Sequence, residues 1–141
     1  MQFEKFTVKG REAIAEAQRL AGRLGNPEIR PGHLLASLLM QDGGVVPSVI
    51  RTAGRDPSQI ETETAKVVDG YSKVSGGAKA GLSRDFHAVL ESAERESKNN
   101  GDSHISSEMM LVGVAAGTSK AQMHRARRLL AQQLEDQEAE S

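Results

Sequence analysis

The amino-acid sequence predicts an all-α fold, in which two pseudo-symmetric helical repeats form one compact bundle. Three observations predict it. First, aromatic residues make up only 3% of the 141 residues, with no Trp, while hydrophobic residues reach 38%. The core must therefore be aliphatic, which suits helices packed on helices better than a sheet sandwich. Second, apolar residues recur at spacings of three and four, and no segment shows a convincing period of two. No β-strand is expected. Third, a constant offset of 76 brings residues 6–39 onto residues 82–115.

The helices follow in order. Thr7 suits an N-cap, because its hydroxyl can accept an early backbone N–H. Ala13, Ile14, Ala17, Leu20, Ala21 and Leu24 then recur at helical spacing, and Gly25 with Asn26-Pro27 ends the run. Pro31 fits the first turn of a second helix over 32–40, which carries Leu34, Leu35, Leu38 and Leu39. Asp42-Gly43-Gly44 is a turn. A short helix follows from about Val46 to Ala53, stopped by Gly54. Asp56-Pro57 opens a fourth helix, where Ser58 and Glu61 also have capping-box spacing. Residues 70–81 are rich in Gly, Ser and Lys and predict a flexible linker. Ser83 caps a fifth helix with Phe86, Val89, Leu90 and Ala93, ending near Gly101. Ser106-Ser107 caps a sixth with Met109, Met110, Val112 and Val114. A last helix over about 119–138 places Met123, Ala126, Leu130 and Leu134 on one stripe.

Across the offset of 76, five residues are identical: Ala17 meets Ala93, Arg19 meets Arg95, Gly25 meets Gly101, Ile29 meets Ile105 and Leu35 meets Leu111. Thr7 meets Ser83 at the cap. Each unit is a long helix, a Gly stop, an Ile expected to be buried, and an apolar helix. The chain therefore divides into one domain over 1–141, with repeat one at about 3–69, the loop at 70–81 and repeat two at about 82–138. Two such units cover each other's apolar faces, and the seam between them is a natural groove.

Composition excludes several classes of function. There is no Cys, hence no disulfide, thiolate metal site or Cys nucleophile. A formal net charge of −1 gives no global field to recruit nucleic acid or an anionic membrane. No apolar run approaches the length of a membrane-spanning helix, and residues 1–9 lack the apolar stretch of a signal peptide. The dipeptide Gly-Lys never occurs, so this chain holds no phosphate-cradling P-loop.

Several segments resemble the amino-terminal domain of the Clp/Hsp100 AAA+ unfoldases, the duplicated Clp-N repeat, and within it the disaggregase branch. The matching segments are Phe6-Thr7-Val8-Lys9, Gly25-Asn26-Pro27-Glu28-Ile29-Arg30-Pro31-Gly32-His33-Leu34-Leu35, Val49-Ile50-Arg51-Thr52-Ala53-Gly54 and Gly101-Asp102-Ser103-His104-Ile105-Ser106-Ser107-Glu108. The resemblance implies an eight-helix, two-repeat, non-catalytic domain on the rim of a hexameric, ATP-driven cytoplasmic ring. It implies capture of unfolded or aggregated protein clients, or docking of adaptor proteins, in a groove between the repeats. Carried over by motif position, Thr7, Asp102 and Glu108 form the polar edge of that groove, and Leu90 and Met109 its apolar wall. No cofactor is implied. Members that read phosphoarginine carry a Glu in each repeat; this chain has Glu108 in the second and Gly32 in the first.

Other readings of the same residues are weaker on spacing. His33, His87, His104 and His124 include no HxxxH pair, so no metal site is expected. Asp102, Glu108 and Ser106-Ser107 stand at a helix start, where capping explains them without an acid–base pair or a nucleophile. Lys120, Arg125, Arg127 and Arg128 form a basic patch that reads first as a solvated helix face. Two alternative functions fit the chain. One is a free-standing Clp-N regulator that acts on a ring in trans. The other is a nucleic-acid-binding helical protein that uses the Arg125–Arg128 helix and shows steep salt dependence.

Overall fold

The computed structural model describes residues 3–74 and 80–117. The helix expected over 119–138, with Lys120, Arg125, Arg127 and Arg128, lies outside the described residues, as do residues 75–79 of the 70–81 linker. After a 3-10 turn at Phe3–Lys5 come α1 (Val8–Arg23), β1 (Glu28–Ile29), α2 (Pro31–Met40), α3 (Val46–Thr52), α4 (Pro57–Asp69), β2 (Gly81–Leu82), α5 (Arg84–Asn99) and α6 (Ser107–Gly117).

The starts and stops are those that local chemistry dictates. Thr7 accepts the Gly10 N–H at 3.1 Å and Ser83 accepts the Phe86 N–H at 3.0 Å. Asp56, rather than Ser58, caps α4: its carboxylate takes the Ser58 N–H at 3.0 Å. Gly25 and Gly101 leave α1 and α5 at φ of 74° and 77°, a left-handed conformation that a side chain would strain.

Helix α2 is the centre of the molecule. Eight of its ten residues are buried, with Leu34, Leu35 and Leu38 fully so. A short helix that is apolar all round must be packed all round. It is covered by α1, α4 and α6. Helix α1 contributes a stripe of small residues, Ala13, Ala17 and Ala21, with Ile14. Helix α5 contributes Phe86, Val89, Leu90 and Ala93. Helices α5 and α6 meet closely at Gly113, where a Cβ would lie 2.5 Å from the Val89 carbonyl oxygen.

The expectation of no strands needs correction. β1 and β2 pair in parallel, Ile29 opposite Leu82, and a second parallel bridge joins Phe6 to Ile105. Across the offset of 76, Phe6 corresponds to Leu82 and Ile29 to Ile105. Each repeat therefore lends the segment before its first helix to the other repeat's segment before its second. The hydrogen bonds repeat the exchange: Thr7 N–H to the Ile105 carbonyl at 3.0 Å, Ser83 N–H to the Ile29 carbonyl at 3.1 Å. Two-residue strands carry no periodicity to detect; they exist because the pseudo-twofold arrangement brings these backbones together.

The 70–81 linker also differs from expectation where it is described. Tyr71 is half-buried, its hydroxyl accepts the Gly32 N–H at 3.1 Å, and the Asn26 side-chain amide donates to the Ser72 carbonyl at 2.8 Å.

Candidate functional site: a groove between the repeats

The start of α1 and the turn between α5 and α6 face each other across the Phe6–Ile105 bridge. Between them lies a depression of about 710 Å³. Repeat one supplies Phe6, Thr7, Val8 and Arg11; repeat two supplies Asn100, Asp102, Ser103, His104, Ser106, Glu108 and Met109.

Of the five residues expected at the groove, the structure brings Thr7, Asp102, Glu108 and Met109 together. Leu90 is corrected. It is 2% exposed and belongs to the core, because it lies on the same face of α5 as Phe86 and Ala93. A side chain buried on that face cannot wall a surface groove. Val8 takes that place, at 59% exposure and immediately after the Thr7 cap. The signal for Val8 was available: it is an apolar residue on α1 off the buried stripe of Ala13, Ala17 and Ala21.

The polar edge is anchored by the same bonds that build the fold. The Thr7 hydroxyl oxygen is used by the Gly10 N–H, while its own proton can turn to a bound group. Ser106 caps α6 by accepting the Met109 N–H at 3.2 Å. The Asp102 N–H is tied to the Ser97 carbonyl at 2.9 Å, which fixes the backbone that carries its exposed carboxylate. Glu108 stands exposed in the first turn of α6, where the helix dipole favours a negative charge. Met109 is half-buried: it packs on the core and receives the Asn100 side-chain amide at 3.7 Å on sulfur. The depression thus combines two apolar side chains, Val8 and Met109, with the charged Arg11, Asp102 and Glu108. This can hold an extended chain by burial and by hydrogen bonds. Among the described residues no group of three or more His, Cys, Asp or Glu side chains comes together.

His33 has a structural role. Its ring is fully buried; Nδ1 accepts the Arg30 N–H at 2.9 Å and Nε2 meets the Asn26 Oδ1 at 2.8 Å. Both contacts fit a neutral ring protonated on Nε2. Burial, helped by the Arg30 charge, holds its pKa at about 4, below the ordinary 6.5. The unfolded chain therefore binds the extra proton first. The stabilisation is complete above about pH 6.5 and is lost as pH falls towards 4, by up to about 3 kcal/mol. Urea unfolding between pH 7.5 and 4 should show this slope in the wild type and lose most of it in His33→Asn; equal slopes would rule out His33 as the cause.

The fold defines a class, a helical-repeat domain with a depression between its two repeats, and the comparisons give the family. The sequence model of the Clp repeat (R) N-terminal domain matches residues 5–137. The chain belongs to this family. It is 41% identical over 117 residues to the chaperone protein ClpB of Corynebacterium efficiens, and 33% identical over 114 residues to that of Mycobacterium tuberculosis. These matches cover 82% and 80% of this chain but only 14% and 13% of those proteins. Among solved structures, the Hsp104 N-terminal domain of Candida albicans matches with a TM-score of 0.79 at 18% identity, over 92% of this chain and 88% of that one. A complex of the ClpV N-domain with a VipB peptide matches with a TM-score of 0.73 at 19% identity, over 87% of this chain and 77% of that one. The all-α bundle is thus the fold of Clp amino-terminal domains, a part of these chaperones distinct from their ATPase modules.

Proposed function

We propose that this chain is the non-catalytic client- and adaptor-docking domain of a Clp-type AAA+ chaperone, a cytoplasmic disaggregase or unfoldase. It captures unfolded apolar segments in the groove between its repeats. The observation that carries the reading is the convergence of Thr7 from one repeat with Asp102, Glu108 and Met109 from the other on a single depression. The ClpV N-domain, of the same fold, is known in complex with a peptide.

Magnitudes favour transient capture. Two or three apolar client side chains each contribute about 1.5–3 kcal/mol of burial. Association costs at least about 4 kcal/mol. One groove then binds more weakly than roughly 100 μM. Six such domains on one ring raise the effective affinity through local concentration. Weak single contacts suit a module that must release its client to an ATP-driven channel.

The test is a two-dimensional NMR titration of the labelled chain with a permanently unfolded, apolar model protein. The expected result is shifts clustered on Thr7, Val8, Asp102, Glu108 and Met109. Shifts confined to the Arg125–Arg128 segment would replace client capture by the nucleic-acid reading.

A further inference from the structure

The offset of 76 that aligns the repeats also aligns their surfaces. Across it, Thr7, Asp102, Glu108 and Met109 of the groove become Ser83, Asn26, Gly32 and His33. These four are also gathered on the counterpart of the groove: Asn26 meets His33 at 2.8 Å, and the Ser83 N–H joins Ile29 as the Thr7 N–H joins Ile105. The fold builds the site twice.

Among the described residues no segment fills the copy in repeat two, which is the depression described above. The copy in repeat one is filled by the chain's own segment Tyr71–Val74, which follows α4. The Tyr71 hydroxyl accepts the Gly32 N–H at 3.1 Å, in the first turn of α2. The Tyr71 ring centroid is 5.1 Å from that of His33, and the Arg30 guanidinium carbon lies 4.7 Å from the same centroid. The Asn26 amide donates to the Ser72 carbonyl at 2.8 Å, and the Val74 N–H donates to the Gly25 carbonyl at 2.8 Å. A segment of the chain itself thus lies in repeat one with a side-chain contact and two backbone contacts, the kinds of contact that hold a bound peptide.

Position 32 leaves room for the phenol. A Cβ on Gly32 would stand 2.4 Å from the Tyr71 hydroxyl oxygen. The equivalent residue in repeat two is Glu108. Its side chain starts where the phenol would end, so a tyrosine cannot enter that copy in the same pose.

We propose that repeat one carries a second peptide-binding site, held closed by Tyr71–Val74, and that its ligand is an extended segment presenting a tyrosine to the start of α2. The filling segment specifies the ligand's chemistry. It needs an acceptor oxygen for the Gly32 N–H, a flat ring for the Arg30 and His33 faces, a carbonyl for Asn26 and an N–H for the Gly25 carbonyl. None of these contacts involves Val8, Met109 or the open groove, so this inference and the client-capture reading stand or fall separately.

The experiment uses the full chain carrying Tyr71→Ala, with the peptide Gly-Tyr-Ser-Lys-Val, blocked at both ends, as the probe. In two-dimensional NMR the amides of Asn26, Gly32 and His33 should shift on titration in the variant and stay still in the wild type. A peptide with Phe in place of Tyr should bind about threefold to tenfold more weakly, since it lacks the acceptor oxygen. Still amides in the folded variant, or equal shifts in the wild type, would overturn the proposal. Shifts at Thr7 and Asp102 alone in both proteins would also overturn it, while supporting the open groove. Gly32→Ala covers the case in which Tyr71→Ala does not fold. Its added methyl should drive the Tyr71 ring resonances to those of an exposed tyrosine; unchanged resonances would count against the closed site.

Discussion

Phe86→Ala is expected to lower the free energy of unfolding by about 3–5 kcal/mol, the usual cost of removing a buried aromatic ring. Phe86 is fully buried in the first turn of α5, and its N–H is the donor taken by the Ser83 cap. Repeat one has Gly10 at the equivalent position, where a Cβ would stand 3.3 Å from the Met110 sulfur and 3.2 Å from the Ile105 carbonyl. The two repeats therefore fill the same station differently: one with a ring of its own, the other with a methionine of its partner. Phe86 belongs to the same core cluster as Leu34, Leu38 and Val89, all fully buried, so its removal leaves a cavity in the core. Domains of this size are stable by only about 5–15 kcal/mol. Urea unfolding checks the loss. A cost below about 1 kcal/mol would mean that α5 is not docked as described.

Met109→Asp is expected to weaken client binding by roughly tenfold to a hundredfold, the loss of about 1.5–3 kcal/mol of side-chain burial. The new carboxylate also stands beside Asp102 and Glu108, and adds repulsion to any acidic client. Because Met109 also packs partly on the core, the variant should lose about 1 kcal/mol of stability and a few degrees in Tm. Met109→Leu should keep both stability and binding. Client binding can be followed by fluorescence anisotropy of a labelled unfolded protein. If Met109→Asp binds as well as Met109→Leu does, the groove is not where the client sits.

Much of this architecture was legible in the sequence. Helix starts were marked by Thr7, Asp56, Ser83 and Ser106, whose side chains have short local partners. Helix stops were marked by Gly25, Gly54 and Gly101, whose positive φ is a property of one residue. The repeat was visible because a buried stripe restricts residue type at every third or fourth position, even where identity is lost. Thr7, Asp102, Glu108 and Met109 line one depression because they sit at helix starts and turns, which local chemistry fixes.

What the sequence left open depends on contacts between distant segments. Leu90 was expected on the groove, but a helical stripe records only that a face is apolar, not which neighbour covers it. The exchanged strands could not be seen, because two residues have no period. The segment after α4 has the composition of a loose linker, yet Tyr71 is bound through Gly32, Arg30 and His33, residues 38 to 41 positions away. Caps, stops and stripes are settled within a few residues, so the sequence determined them: two helical units, capped and repeated. Which distant segment packs on the start of α2 is decided by a long-range fit, and the Tyr71 phenol fits there because position 32 is a glycine. Only the tertiary structure could decide that.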